Sequence, residues 1–338
     1  MRRSLLRLRI PLREPFVTAG GVVAARELVV IRLEDDEGTP GFGEGAPLEP
    51  YDGVSVDEVW EALREGPPER GAPPQARAAW ELAELDLQAR RRGRAIGEPW
   101  ADAIPVNLTL PAGPPSETAA AAARGVRAGY ACFKLKVGLP DDVERAAAVR
   151  EAVGPWPALR VDANGGWGPS EAVERIRALE PFDLQLVEQP CATLEELAEV
   201  RPRVRVPLAA DESVRTADDV RRAASLGACQ AVNVKLAGAG GFLPARDALR
   251  AAREAGLGAW LSSTLDGPWG IAAALQLAAG ERLVLACGLA TLELFDAPIA
   301  RALPPARGGL IAVPQGPGLG VEVGEDALRD VVVEELGE

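Results

Sequence analysis

The chain has 338 residues, with 37 basic and 50 acidic side chains, a formal net charge of -13 and no histidine. This excludes Ser-His-Asp and Cys-His catalysis and imidazole metal ligands, and the acidic balance disfavours nucleic acid or an anionic membrane as partner. Proton transfer near neutral pH falls to a tuned Lys, Asp, Glu, Tyr or Cys. Lysine is scarce: Lys134, Lys136 and Lys235 stand against 34 arginines.

The N-terminal residues alternate as a strand does and contain no apolar run of signal-peptide length. Nowhere do 18 apolar residues run without a charge, so a soluble, cytoplasmic protein without a membrane span is expected. Cys132, Cys191, Cys229 and Cys287 lack CxxC spacing and read as buried thiols of a reducing compartment.

Residues 1–45 read as a small antiparallel sheet, with turn residues from Gly38 to Gly45. Val54 to Arg90 reads as mostly helical, broken at 66–68 and 71–74, with Ala79, Leu82, Leu85 and Ala89 on one face. Pro99 marks a boundary near residue 100. Beyond it, β runs at 104–109, 132–137, 158–162, 184–188, 207–210, 230–235, 258–262 and 284–288 alternate with helices at 116–128, 141–152, 169–179, 215–225, 244–255 and 268–279. Asp141 and Ser170 stand where N-caps are expected, and Gly129, Gly154, Gly227 and Gly256 where helices stop. Eight β runs about two dozen residues apart predict an α/β fold, a (β/α)8 TIM-type barrel over 101–305. An open doubly wound sheet is the alternative, but no GxGxxG follows the first strand. An α+β capping domain is expected over 1–100, with the segment 306–338 returning to it and closing over the barrel mouth.

In such a barrel, chemistry sits at the C-terminal strand ends. There the chain places Lys134 and Lys136 on one face of a strand, then Asp162, Glu188 and Asp211 one βα unit apart, then Asn233 and Lys235. Three converging carboxylates require a cation, and an all-oxygen set suits Mg²⁺, with Mn²⁺ as the other ion such a set admits. Arginine stays protonated, whereas a desolvated lysine beside other cations is pushed toward its neutral form, so the lysines are the candidate acid/base groups. Asn107 and Asn164 are candidates for bonding a carboxylate or holding a loop. Ser262 and Ser263, before a helix, suggest an anion-binding corner, and Asp266 either orients a lysine or caps that helix.

Taken together, Lys134-x-Lys136, Asp162-x-Asn164, Glu188-Gln189-Pro190, Asp211-Glu212-Ser213 and Asn233-x-Lys235 resemble the muconate-lactonizing-enzyme subgroup of the enolase superfamily. The likeness extends to Pro15 through Gly20, Gly41-Phe42-Gly43-Glu44 and Pro317 through Val321. It implies Mg²⁺ on Asp162, Glu188 and Asp211, with Lys136 as the acid/base nearest the substrate's alpha carbon. Lys134 would tune Lys136, and Lys235 would face it across the site. A loop at 16–20, with Thr18 as a substrate contact, would cover a small-molecule carboxylate. Within the subgroup the segment 262–273 is most similar to o-succinylbenzoate synthases. The activity implied is a Mg²⁺-dependent syn dehydration of 2-succinyl-6-hydroxy-2,4-cyclohexadiene-1-carboxylate in menaquinone biosynthesis. The alternative is an N-succinylamino acid racemase or a dipeptide epimerase, with either a monomer or a homo-oligomer admitted.

Overall fold

The computed structural model describes residues 1–18, 21–110 and 113–337, and of residues 16–18 and 21 only the backbone. Of the covering loop at 16–20, residues 19–20 and the side chains of 16–18, that of Thr18 among them, therefore lie outside the described residues. The chain opens with β1 (Arg2–Thr18), β2 (Gly21–Glu34) and β3 (Pro40–Gly45), paired antiparallel in that order. Strand alternation splits their apolar residues between two cores. Leu5, Val29, Ile31 and Leu33 pack with Val59, Trp60 and Ala79, whereas Leu8, Ile10, Leu28 and Val30 join the large core of the barrel. The first set meets helices α2 (Val56–Glu65) and α3 (Pro74–Arg91), which follow a four-residue turn, α1 (Glu49–Asp52). Helix α3 crosses β3 so closely that a Cβ at Gly43 would stand 1.8 Å from the Ala79 carbonyl oxygen.

The second half begins with β4 (Ala103–Pro105) and β5 (Leu108–Leu110), where one strand over 104–109 is expected from sequence. The run divides because its two halves serve different partners. β4 pairs antiparallel with β12 (Leu310–Ala312) of the C-terminal segment, and β5 pairs parallel with β6 (Cys132–Lys136). The parallel sheet continues through β7 (Ala158–Asp162), β8 (Leu184–Glu188), β9 (Leu208–Ala210), β10 (Ala231–Lys235) and β11 (Gly258–Ser262). Helices α4 (Pro115–Arg127), α5 (Asp142–Val153), α6 (Pro169–Leu179), α7 (Leu194–Val200) and α8 (Ala217–Leu226) alternate with these strands. They are followed by α9 (Leu236–Ala239), α10 (Phe242–Glu254) and α11 (Pro268–Gly280).

Seven strands curl, and the eighth run joins the two edges through isolated bridges, Val106 with Cys287 and Ser262 with Gly288. The Cys287 amide donates to the Pro105 carbonyl at 2.8 Å and Asn107 returns a bond to Cys287 at 2.9 Å. Pro105 has no N–H with which to extend that ladder. The result is an incomplete (β/α)8 barrel with a capping sheet, as expected. Asp141 stands at the N-cap of α5, though without a side-chain cap bond, whereas Gly168, not Ser170, precedes α6, because Pro169 starts the helix. After α12 (Glu325–Leu328), β13 (Val332–Gly337) pairs with β1 on the outer edge of the capping sheet. The C-terminal segment thus pairs with β4 at the start of the barrel half and, through β13, with β1 of the capping sheet. All four cysteines are free and buried. Among the described residues no helix is long and apolar enough to cross a membrane.

Carboxylates of the cap dock on helix N-termini of the barrel, where unpaired amides point outward. Glu44 accepts from Gly267 N at 2.6 Å and Gly270 N at 3.3 Å, and Glu81 accepts from Phe242 N at 2.6 Å. Burial and the neighbouring Asp266 push the Glu44 carboxyl up to about 8. The folded protein therefore holds a proton that the unfolded chain releases near 4.5, so stability falls as pH rises between about 4.5 and about 8. Glu44→Gln should flatten that fall when Tm is followed from pH 5 to 8; an equally steep fall in the variant would show that Glu44 is not its source.

Candidate active site

Strand period 2 places the site-facing side chains in register on neighbouring strands: Lys134 and Lys136 on β6, Asp162 on β7, Glu188 on β8, Asn233 and Lys235 on β10. Asp211 follows β9 directly. One oxygen from each of Asp162, Glu188 and Asp211 lies within 4.8 Å of the others, and all three residues are buried. The lysines bracket this triad. Lys134 Nζ lies 2.8 Å from both Asp162 Oδ2 and Glu188 Oε1, and Lys136 Nζ lies 2.7 Å from Asp162 Oδ2 and from Asn164 Oδ1. On the other side Lys235 pairs with Asp211 and donates to the Tyr51 hydroxyl at 2.7 Å. Three strands separate β6 from β10, and those three carry or end at the carboxylates.

The backbone around the triad is held in left-handed conformations by side-chain bonds. Asn164, at φ 46, donates its amide to Asp162 Oδ1 at 3.0 Å and its Nδ2 to Glu212 at 2.8 Å. Gln189, at φ 37, accepts from Asp211 N at 2.7 Å, which fixes the start of the next strand end. Strained residues of this kind persist where surrounding structure over-determines them, and they cluster at functional sites.

Burial alone would lower the lysine pKa values, but Lys134 and Lys235 are held above the ordinary value. Asp162, Glu188 and Asp211 raise Lys134, and Asp211, Glu212 and Glu188 raise Lys235, outweighing the desolvation that predicts a fall. Burial raises Glu188 and Asp211 despite Lys134 and Lys235 nearby. Burial also pushes Asp162 up, but Lys134 and Lys136 overcome it and leave the carboxyl below the usual range. Glu188 Oε2 is buried without a hydrogen-bond partner, as are Glu212 Oε2 and Asn233 Oδ1. A hard-oxygen triad with an orphaned carboxylate oxygen fits a divalent ion such as Mg²⁺ or Mn²⁺.

Above the triad opens a cavity of about 280 Å³. Its charged end holds Lys134, Lys136, Lys235 and Glu212; hydroxyls come from Thr109, Ser262, Ser263, Thr264 and Thr291, and apolar walls from Leu48, Pro50, Leu108 and Leu294. Asn107 lines it with a buried Oδ1 that has no partner, and Ser263 Oγ shares a hydrogen bond with Thr291 at 2.8 Å. Asp266 is not brought to this cavity. Its carboxylate turns back onto Thr264 N and Oγ1, at 3.0 and 2.9 Å, beside Arg26 of β2. Arg26 in turn donates to the carbonyls of Thr264 and Leu265. Sequence reasoning misses Tyr51, whose position in a four-residue turn gives no periodic signal. Glu212 and Thr109 stand beside recognised residues, where strand-end position is a usable sign.

The chain matches the family described as enolase C-terminal domain-like over residues 117–327. The o-succinylbenzoate synthase of Thermobifida fusca (strain YX) is 38% identical over 332 residues, spanning 96% of this chain and 90% of that protein. The N-succinyl-L-Arg/Lys racemase of Bacillus cereus is 28% identical over 358 residues, spanning 97% and 96%. The crystal structure of N-succinyl Arg/Lys racemase from Bacillus cereus ATCC 14579 superposes with a TM-score of 0.93 at 27% identity, over 100% of this chain and 99% of that one. A substrate-liganded L-Ala-D/L-Glu epimerase from Bacillus subtilis superposes at 0.87 with 29% identity, over 95% and 98%.

An ion on the triad relieves repulsion among buried carboxylates and binds the folded state alone, so Mg²⁺ should raise Tm in proportion to the logarithm of its concentration. Glu188→Gln should cancel the rise, and a full Mg²⁺-dependent rise in that variant would remove Glu188 from the ligand set.

Proposed function

Because the chain belongs to the muconate-lactonizing-enzyme-like subgroup of the enolase superfamily, we propose that it removes the proton alpha to a carboxylate from one face and delivers a different proton to the opposite face. The proposed substrate is an N-succinyl amino acid with a neutral side chain. The single observation that carries this reading is the placement of Lys136 and Lys235 on opposite sides of the triad. A one-sided elimination needs one base, whereas inversion at carbon needs a proton acceptor on one face and a donor on the other.

A divalent ion held by Asp162, Glu188 and Asp211 would stabilise the charge that builds on the substrate carboxylate and offset the carboxylates that hold Lys134 and Lys235 in their charged form. Lys136, as neutral amine, takes the alpha proton and becomes an ammonium. The Lys235 ammonium donates its proton to the same carbon from the other side, and the roles reverse for the other enantiomer. Lys134 stays charged against Asp162 and Glu188. Ser262, Ser263 and Asn107 are proposed to receive the distal carboxylate by hydrogen bonding.

The charge inventory of the cavity narrows the substrate. Among the described residues its one carboxylate is Glu212, which sits at the lysine end and is bonded to Asn164. Residues 16–21 and 111–112 contain no acid by sequence. A dipeptide's ammonium or a cationic side chain would enter the cavity without a carboxylate beyond Glu212 to pair with, a costly burial.

A second reading, dehydration to o-succinylbenzoate, is favoured by the 38% identical synthase. In it Lys136 takes the alpha proton and gives it to the departing hydroxyl, releasing water and an aromatic ring, while Lys235 contributes charge only. The two reactions use one site and separate by assay. With Mg²⁺ present, enantiopure N-succinylphenylalanine should lose optical rotation and exchange its alpha proton in D₂O. Lys136→Ala should lower both this and any o-succinylbenzoate formation by at least about 10²-fold. Lys235→Ala should abolish racemisation; retention of racemisation by that variant, or o-succinylbenzoate formation without any racemisation by the unmodified enzyme, would overturn the two-lysine assignment.

A further inference from the structure

Tyr51 is one of two tyrosines in the chain and belongs to the capping region, yet its hydroxyl lies on a barrel lysine 184 residues away. Lys235 Nζ donates to it at 2.7 Å and stands 4.8 Å from the centre of its ring. Helix α1, which carries Tyr51, is fastened from within the cap. Asp52 accepts from Leu48 N at 3.0 Å, from Val54 N at 3.0 Å and from Gln75 Nε2 at 2.7 Å, and Gln75 is buried on α3. Gly53 closes the turn at φ 73, a left-handed position suited to glycine.

The two lysines are therefore held differently. Both side-chain partners of Lys136, Asp162 and Asn164, belong to the barrel. Lys235 has Asp211 and Tyr51, and an ion on the triad competes for Asp211 while leaving the tyrosine contact intact. A neutral hydroxyl and an aromatic face attract an ammonium without becoming its proton acceptor, so they fix its place without discharging it.

We infer that Tyr51 is a positioning residue for Lys235, so that the capping domain governs one face of the site while the barrel alone governs the other. This deepens the two-lysine reading above and rests on it. A substrate that loosens or tightens the α1 turn would alter proton transfer at the Lys235 face selectively.

With three lysines in the chain, an amine reagent reports on each separately. In the full-length, Mg²⁺-loaded protein without substrate, acetylation mapped by mass spectrometry should label Lys235 about tenfold faster in Tyr51→Ala and leave Lys136 within about twofold. In D₂O, Tyr51→Phe should slow exchange by about tenfold for the N-succinylphenylalanine enantiomer that Lys235→Ala also disables, and leave the other enantiomer within about twofold. Unchanged Lys235 labelling in Tyr51→Ala, or equal slowing of both enantiomers in Tyr51→Phe, overturns the inference. Should the unmodified protein exchange neither enantiomer, the two-lysine reading fails, and the labelling pattern still decides what Tyr51 does.

Discussion

Three carboxylates buried at adjacent strand ends are the constraint around which this molecule is organised. Asp162, Glu188 and Asp211 repel one another, and their removal from water makes that repulsion expensive. The chain answers with lysines on both flanks, with amide donors from Asn164 and Asn233, and with a donor set suited to a divalent ion. Lysine pairing, left-handed backbone at Asn164 and Gln189 and the deep burial of Glu188 all follow from keeping like charges close together. What cannot relax in the resting fold is available to a cation and an anionic substrate.

The capping sheet solves a second problem, access. One face packs on its own helices and the other on the barrel, which puts Leu48, Pro50 and Tyr51 over the mouth. Glu44 and Glu81 bind this layer to helix N-termini, and Arg26 holds the loop after β11 through its carbonyls. The cap is thus tied to the strand end that supplies Ser262 and Ser263, so side chains of both layers form one cavity.

The chemistry-bearing strand ends are legible in the sequence because strand period and βα spacing are regular. Lys134 and Lys136 share a face by alternation, and Asp162, Glu188 and Asp211 recur one unit apart. Features that depend on distant partners are not legible. Asp266 stands close to the expected serines, but its carboxylate bonds back onto Thr264 beside Arg26, 240 residues earlier, in a different network. Tyr51 sits in a turn too short to show a period. The eighth strand fails for a local reason, the missing N–H of Pro105, and α7 is absent from the expected helices although Thr193 and Glu196 mark its start with a capping box. The Lys134 and Lys235 pKa values also differ from expectation, because neighbouring carboxylates outweigh desolvation.

The central claim is that the three carboxylates hold one divalent ion between two opposed lysines. Anomalous diffraction at the manganese edge, from crystals of the protein grown with Mn²⁺, tests it most directly. The account predicts a single strong peak about 2.1 Å from an oxygen of each of Asp162, Glu188 and Asp211, with Lys136 and Lys235 on opposite sides. A peak elsewhere, or a triad without a peak at saturating Mn²⁺, would contradict it.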